Sequence, residues 1–201
     1  ISFNKLIIFS RDEYKQYQMI KKYQHNKQFS KLRFFIGDVR DKDRLSVALN
    51  DVDFLIHAAA LKQIDTAEYN PTEFINTNII GSKNIIEVSM NCNIKKVIFL
   101  STDKACSPAN LYGATKLCSE KLFIAGNNYS GKNIFSVVRY GNVFGSRGSI
   151  VPLFTSEASK KFFTITDKNM TRFNISLDDS CALVIEAFQQ SLGSEIFIPK
   201  L

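Results

Sequence analysis

The chain has 201 residues, 45% of them hydrophobic, with no low-complexity tract; that excludes a disordered segment and allows one sizeable core. No stretch is apolar for long enough to cross a membrane, and no signal peptide is evident. The formal net charge of +7 comes from scattered Lys and Arg residues that are not interleaved with aromatics, which argues against nucleic-acid binding. The charge then reads either as a solvated basic surface or as attraction for a polyanionic ligand.

Cys92, Cys106, Cys118 and Cys181 show no metal-ligand spacing, and His25 and His57 are too isolated for a metal centre. Free thiols in a reducing cytoplasm are the expectation, with no metal. The opening residues Ile1-Ser-Phe-Asn-Lys5 hold no initiator Met and run almost at once into a strand, as in a fragment or a trimmed chain.

In chain order, Leu6 to Phe9 reads as a short buried strand, and Ser10 or Asp12 caps a helix from Asp12 to about Gln24. Leu32 to Ile36 is the next strand, ending at Gly37-Asp38, and a helix over roughly 41–49 follows. Val52 to Ala60 is a strand that gives way to three alanines. Those alanines admit either a flat ligand against the backbone or tight strand–helix packing. Pro71 opens one long helix to about Asn91, with Phe74, Ile75, Ile79, Ile85, Ile86 and Val88 on its apolar side.

The apolar run Lys96 to Leu100 is a buried strand that stops at Ser101-Thr102-Asp103-Lys104. Pro108 and Asn110 mark a loop, and Leu111 to Asn127 a helix. Phe135 to Tyr140 is a strand closing on Gly141 to Gly145, followed by a Gly/Ser/Arg loop over 146–149. A helix is expected over 151–161, a short strand over 162–166, a helix over about 177–191, and a last strand over 195–199.

Strands that are apolar throughout and alternate with helices indicate an α/β fold: a Rossmann-like, doubly wound parallel sheet. Ligands of such a sheet bind at the carboxyl ends of its strands. The polar clusters lie at those ends: Ser10-Arg11, Gly37-Asp38, Ala58 to Ala60, Ser101 to Lys104 and Gly141 to Val143. No G-x-x-G-x-x-G occurs, so the reading lacks the first strand and the Gly-rich turn that would cradle a pyrophosphate. The expected division is a partial dinucleotide-binding domain over 1–145 and part of a small substrate region over 146–201.

Tyr112 and Lys116 stand at i, i+4 in the first turns of their helix and share a face. An ammonium beside a phenol stabilises the phenolate and lowers the tyrosine pKa, the requirement for a tyrosine acid/base near neutral pH. Asp103 and Lys104 form a second acid/base pair, or a surface turn with an incidental ion pair.

Tyr112-x-x-x-Lys116 preceded by Ser101-Thr102-Asp103-Lys104 resembles the extended short-chain dehydrogenase/reductase superfamily. More narrowly, SRDE-x-K, FFIGDVRDKDRL, DFLIHAAALKQ, STDKA-x-x-P-x-NLYGATK, RYGNVFGSRGS and ITDKNMTRF, in that order, resemble the inverting UDP-N-acetylglucosamine 4,6-dehydratases of the pseudaminic acid pathway. The resemblance runs from Lys5 to the C-terminus. It implies a cytoplasmic, homo-oligomeric lyase that uses NADP and acts on UDP-N-acetylglucosamine.

Residue by residue, the resemblance implies that Ser10, Arg11, Asp12 and Lys15 hold the cofactor, with Arg11 and Lys15 meeting a 2′-phosphate; the other reading of Arg11 is a solvated helix start. Asp38 and Val39 would hold the adenine, and Ala58, Ala59 and Ala60 would line the pyrophosphate–ribose path. Lys62 would reach cofactor and substrate, or is simply exposed. Tyr112 with Lys116 would serve the redox step at C4, Thr102 the 4-hydroxyl, Lys104 in a neutral form the C5 proton, and Asp103 the departing 6-hydroxyl. Asn142 and Val143 would touch cofactor and substrate. Arg172 would bind the diphosphate or form a structural salt bridge. A nucleotide-sugar 4-epimerase, which needs Tyr112 and Lys116 but not the Asp103-Lys104 pair, and a non-catalytic truncated nucleotide-binding module are the competing readings.

Overall fold

The computed structural model describes residues 2–146, 154–155, 162, 165 and 167–200. Its elements in chain order are β1 (Leu6–Ser10), α1 (Glu13–Tyr23), β2 (Leu32–Ile36), α2 (Lys42–Ala48), β3 (Phe54–His57), α3 (Ile64–Tyr69), α4 (Pro71–Phe74) and α5 (Gly81–Asn91), then β4 (Lys96–Thr102), α6 (Leu111–Tyr129), β5 (Ile134–Tyr140), β6 (Asn142–Val143), β7 (Asn174–Ile175), α7 (Leu177–Gln190) and β8 (Ile196–Phe197). The expected helix over 151–161 lies outside the described residues except for Phe154 and Thr155, which are helical. Of the expected strand over 162–166, Phe162 and Ile165 are described, and neither is in a strand.

All strand pairs among the described residues are parallel. β1 pairs with β2 in one sheet, and β3-β4-β5-β8 form a second. This is the Rossmann-like arrangement, with β1 and β3 each keeping one edge unpaired among the described residues. Both sheets nevertheless share a core: Phe9 of β1 and Leu55 of β3 pack against one buried cluster that includes Leu45, Ile85, Val97, Phe99, Phe123 and Phe135.

The period-2 alternation of β4 divides its two faces. Val97 and Phe99 face the cluster that holds Ile85 and Phe123, from α5 and α6. Ile98 and Leu100 face Val184 and Ala187 of α7. Burial on both sides explains why β4 and β5 read as continuous apolar runs.

The expected single helix over Pro71–Asn91 is interrupted. Between α4 and α5 the segment Ile75–Ile80 winds as a π-helix. Apolar periodicity missed the break because the interruption serves polar groups. Asn78 is 2% exposed; its Nδ2 donates to Leu61 O (2.9 Å) and Thr115 Oγ1 (3.0 Å), and its Oδ1 accepts from Leu61 N–H (2.8 Å). Ser82 and Ser119 hydroxyls donate to its carbonyl. The widened turn lets one asparagine join the loop after β3 to α6.

Candidate active site

β4 runs through Thr102 and hands directly to a 3-10 turn, Asp103–Ala105, which carries two of the candidate residues. α6 starts behind that turn. Asn110 caps it, its Oδ1 accepting from Gly113 N–H at 2.9 Å. Gly113 is required by the approach of the helix: a Cβ there would stand 2.2 Å from Lys104 O. This contact brings Tyr112 and the Asp103-Lys104 turn into one site.

Tyr112 and Lys116 are both buried on the same side of α6, as their spacing demands. Their electrostatics differ from the sequence expectation. Burial pushes the Tyr112 phenol up to about 12; a hydrogen bond with Thr102 acts against this, and the neighbouring Tyr140 and Asp103 add to it. Lys116 Nζ donates to Leu100 O at 2.7 Å and lies 4.0 Å from the centre of the Phe99 ring. Burial pulls Lys116 down to about 7, and the charge of Glu120 opposes the fall. Glu120, 1% exposed, is itself engaged by Arg139, whose Nε donates to Oε1 at 3.0 Å.

Thr102 Oγ1 donates to Asp103 Oδ1 at 2.9 Å. Lys104 Nζ donates to the same oxygen at 3.0 Å and to Asn142 Oδ1 at 2.7 Å. The structure therefore brings Thr102, Asp103, Lys104, Tyr112, Lys116 and Asn142 together at the carboxyl ends of β4 and β5. Val143 pairs with Ile175 beside them.

His57 is a further buried group that sequence reading set aside. Its ring stacks on Phe99 with centroids 5.5 Å apart, and its Nε2 lies 3.4 Å from Ser82 Oγ. Burial, helped by the charge of Lys116, pulls its pKa down to about 3.

At the other sheet, Ser10 Oγ accepts from Asp12 N–H at 3.1 Å, and Asp12 caps α1 through Lys15 N–H at 2.9 Å. Lys15 Nζ pairs with Asp12 at 3.0 Å. Arg11 is exposed, 3.5 Å from Asp38. Asp38 is held mainly by Arg40, with Nε to Oδ1 at 3.1 Å and Nη2 to Oδ2 at 2.8 Å. Burial alone would raise the Asp38 pKa, but the bonds and charge of Arg40, with Arg11, hold it below the usual carboxylate range. Arg40 carried no signal of its own in the sequence.

Val39 is buried in the core, and Asn84 Nδ2 pins its carbonyl at 3.1 Å. Ala58 and Ala59 are exposed and Ala60 half-buried, so their backbone is open to a ligand; Lys62 is exposed. Arg172 is exposed and, among the described residues, has no ion-pair partner; its Nη1 donates to Thr171 O at 2.9 Å. A groove of about 590 Å³ runs beside β7 between Asn174, Asp179, Leu183 and Phe197, and none of the acid/base residues lines it.

Residues 1–201 match the family described as "Polysaccharide biosynthesis protein". The chain belongs to that family. Among its relatives, an inverting UDP-N-acetylglucosamine 4,6-dehydratase of Campylobacter jejuni is 56% identical over 203 residues, which cover 98% of this chain and 59% of that protein. A UDP-glucose 4-epimerase of Rickettsia typhi is 47% identical over 196 residues, covering 96% of this chain and 56% of that protein. Among solved structures, Pen from Bacillus thuringiensis superimposes with a TM-score of 0.92 at 39% identity, covering 97% of this chain and 62% of that one. The chain thus spans about three fifths of the length of these polysaccharide biosynthesis relatives. The resemblance to the inverting dehydratases and the Rossmann-like expectation both agree with these likenesses.

Among the described residues no helix is long and apolar enough to cross a membrane, and no cluster of His, Cys, Asp and Glu could hold a metal ion.

Proposed function

We propose that the protein carrying this chain dehydrates UDP-N-acetylglucosamine to a UDP-4-keto-6-deoxy hexosamine with inversion at C5. The observation that carries this reading is the Asp103–Lys104 pair, adjacent in space to Tyr112 and anchored by Thr102 and Asn142. A redox-only epimerase needs Tyr112 and Lys116 alone. The likeness to the Campylobacter dehydratase is also greater than to the Rickettsia epimerase.

The residues present fit a dinucleotide. Ala58 and Ala59 leave bare backbone at the end of β3, and Arg11 stands exposed at the end of β1. Arg11 and Lys15 at the first turn of α1 favour NADP, and Asp38 stands where it would face the adenine side. NADP, when bound, would take up a hydride from the sugar and return it. In that division residues 1–145 serve mainly the cofactor and 146–201 the substrate, with Arg172 toward the diphosphate and Lys62 between the two. The protein acts in the cytoplasm as a homo-oligomer, with no nucleic-acid, membrane or metal partner.

Tyr112 takes the proton of the sugar 4-hydroxyl once its phenol is ionised. The hydrogen bond with Thr102 acts toward that ionised form, against the burial of the phenol. The 4-ketone acidifies the C5 proton. Lys104 accepts it, Asp103 protonates the departing 6-hydroxyl, and water leaves.

Incubation of the full natural protein with UDP-N-acetylglucosamine and NADP in deuterium oxide tests the reading, with products followed by NMR. The wild type should give the 4-keto-6-deoxy product with deuterium at C5. Tyr112→Phe should show neither NADPH absorbance nor product. Lys104→Ala should hold NADPH without elimination, with a rate about 100- to 10,000-fold lower, the usual weight of a general acid–base group. Full activity of Lys104→Ala, or a 4-epimer as the product, would favour the epimerase.

A further inference from the structure

We propose that Asn142 is a positioning residue for the acid/base pair: its side-chain oxygen fixes Lys104 Nζ over the substrate's C5, and the pairing of β6 with β7 fixes Asn142. The inference rests on the dehydratase reading of the same site.

Asp103 and Lys104 are neighbours on a short turn, with side chains 27% and 31% exposed. A pair so placed contributes little and has many rotamers. The second acceptor comes from far along the chain. Asn142 Oδ1 meets Lys104 Nζ at 2.7 Å, shorter than the 3.0 Å to Asp103. Two acceptors on different elements define a direction for the amine that one acceptor cannot. An amide oxygen also suits the task, because it accepts a hydrogen bond without taking up a proton near neutral pH.

The backbone under Asn142 is held by the pairing of β6 with β7. Its N–H donates to Phe173 O at 2.7 Å, Phe144 N–H donates to Ile175 O at 2.9 Å, and Asn142 lies opposite Asn174. Gly141 makes this possible: a Cβ there would sit 2.1 Å from Phe173 O. Phe173 follows Arg172, the candidate for the diphosphate. The segment that would hold the nucleotide end of the substrate is thus joined, through Phe173 and Asn142, to the amine that would act on the sugar.

The elimination needs Lys104 as an amine and Asp103 as a carboxylic acid, one proton moved across the 3.0 Å contact that joins them. The amine takes the C5 proton, the C5–H pair becomes the C5–C6 double bond, and the C6–O bond breaks. The carboxylic acid gives its proton to the departing oxygen to form water. Ammonium and carboxylate are then restored, with Asn142 still holding the nitrogen.

The test uses the full natural protein, wild type and the Asn142→Leu, Asn142→Ala and Asn142→Asp variants. Solvent exchange of the Lys104 ammonium protons is read by NMR on ¹⁵N-lysine-labelled protein, with Lys104→Ala to assign the signal. Exchange should be slow in the wild type, faster in the Leu and Ala variants, and slow again with Asp, which keeps an acceptor of the same size. With UDP-N-acetylglucosamine and NADP, the Leu and Ala variants should lose about 10- to 100-fold in kcat for elimination, a larger loss than in KM or in oxidation at C4. Unchanged ammonium exchange in both variants would show that the contact is absent in solution. Faster exchange with undiminished elimination would refute the positioning role, and a raised KM at constant kcat would make Asn142 a substrate contact instead. A wild type that performs no dehydration would overturn the functional reading, and the exchange experiment would still decide the contact.

Discussion

Arg11 reaches solvent at the end of β1 with only a 3.5 Å approach to Asp38, and that carboxylate is already satisfied by Arg40 at 2.8 Å. Arg11 is therefore available to a ligand. Arg11→Ala in the full natural protein should remove about 1.5–3 kcal/mol from NADP binding, the range for a hydrogen bond to a charged group, and should leave NAD binding almost unchanged. Titration with both dinucleotides checks it; equal losses would remove the 2′-phosphate assignment.

Also at the residue scale, Lys116 predicts a pH dependence of stability. Its folded pKa of about 7 lies below the usual 10.5, so the unfolded chain binds more protons between those values. Stability should then rise with pH across that window, by at most about 1.4 kcal/mol per pH unit from this group. Tyr112, raised to about 12, works the other way from about pH 10 upward. Lys116→Met keeps the bulk and removes the charge. Its stability should exceed the wild type most below pH 7, with the difference closing toward pH 10; urea titrations at pH 6 and pH 9 measure it. A difference that does not change with pH would mean that Lys116 is not desolvated.

At the scale of elements, what was legible were the strands, the capped helix starts and the strand-end polar clusters. Leu32–Ile36 reads directly from its apolar run, and α1 and α2 start one residue after Asp12 and Asp41, whose side chains cap them. The candidate acid/base residues were legible for the same reason: they follow strand β4 in sequence. The partners were not. The pairings of Asn142 with Lys104 and of Asn78 with Leu61 and Thr115 act across the fold, and neither period nor propensity carries such pairings. The π-turn escaped notice because its reason is the buried Asn78 amide, not a helix-breaking residue.

Gly113 shows the same limit. Gly→Ala inside a helix ordinarily stabilises by about 0.5–1 kcal/mol. Here the added carbon would stand 2.2 Å from a backbone oxygen, so the sign reverses. Gly113→Ala should destabilise by about 1–3 kcal/mol, the range for overpacking, by separating α6 from the Asp103–Ala105 turn. Urea denaturation reads the first effect, and loss of elimination activity reads the second. A stabilised variant would show that the helix can move away freely.

At the scale of the whole molecule, the deciding feature is the discontinuity between β1 and β3. Parallel sheets are normally buried on both faces and along the interior of the sheet. Yet Phe54 and Ile56 of β3 are 51% and 52% exposed, and Leu6 and Ile36 of the β1-β2 pair are 45% and 50% exposed. Edges of this kind invite pairing with another chain. The same interval is where a Rossmann-like sheet carries the strand whose Gly-rich turn cradles a pyrophosphate. The candidate acid/base side chains are assembled without that strand; among the described residues no Gly-rich turn forms a phosphate cradle. Residues 1–201 alone should therefore self-associate, bind dinucleotide weakly and turn over no substrate, whereas the full natural protein should bind NADP. Sedimentation of residues 1–201 and calorimetric titration with NADP compare the two. A monomeric chain with micromolar NADP affinity would show that the open edges are tolerated and that the pyrophosphate is held by residues other than a Gly-rich turn.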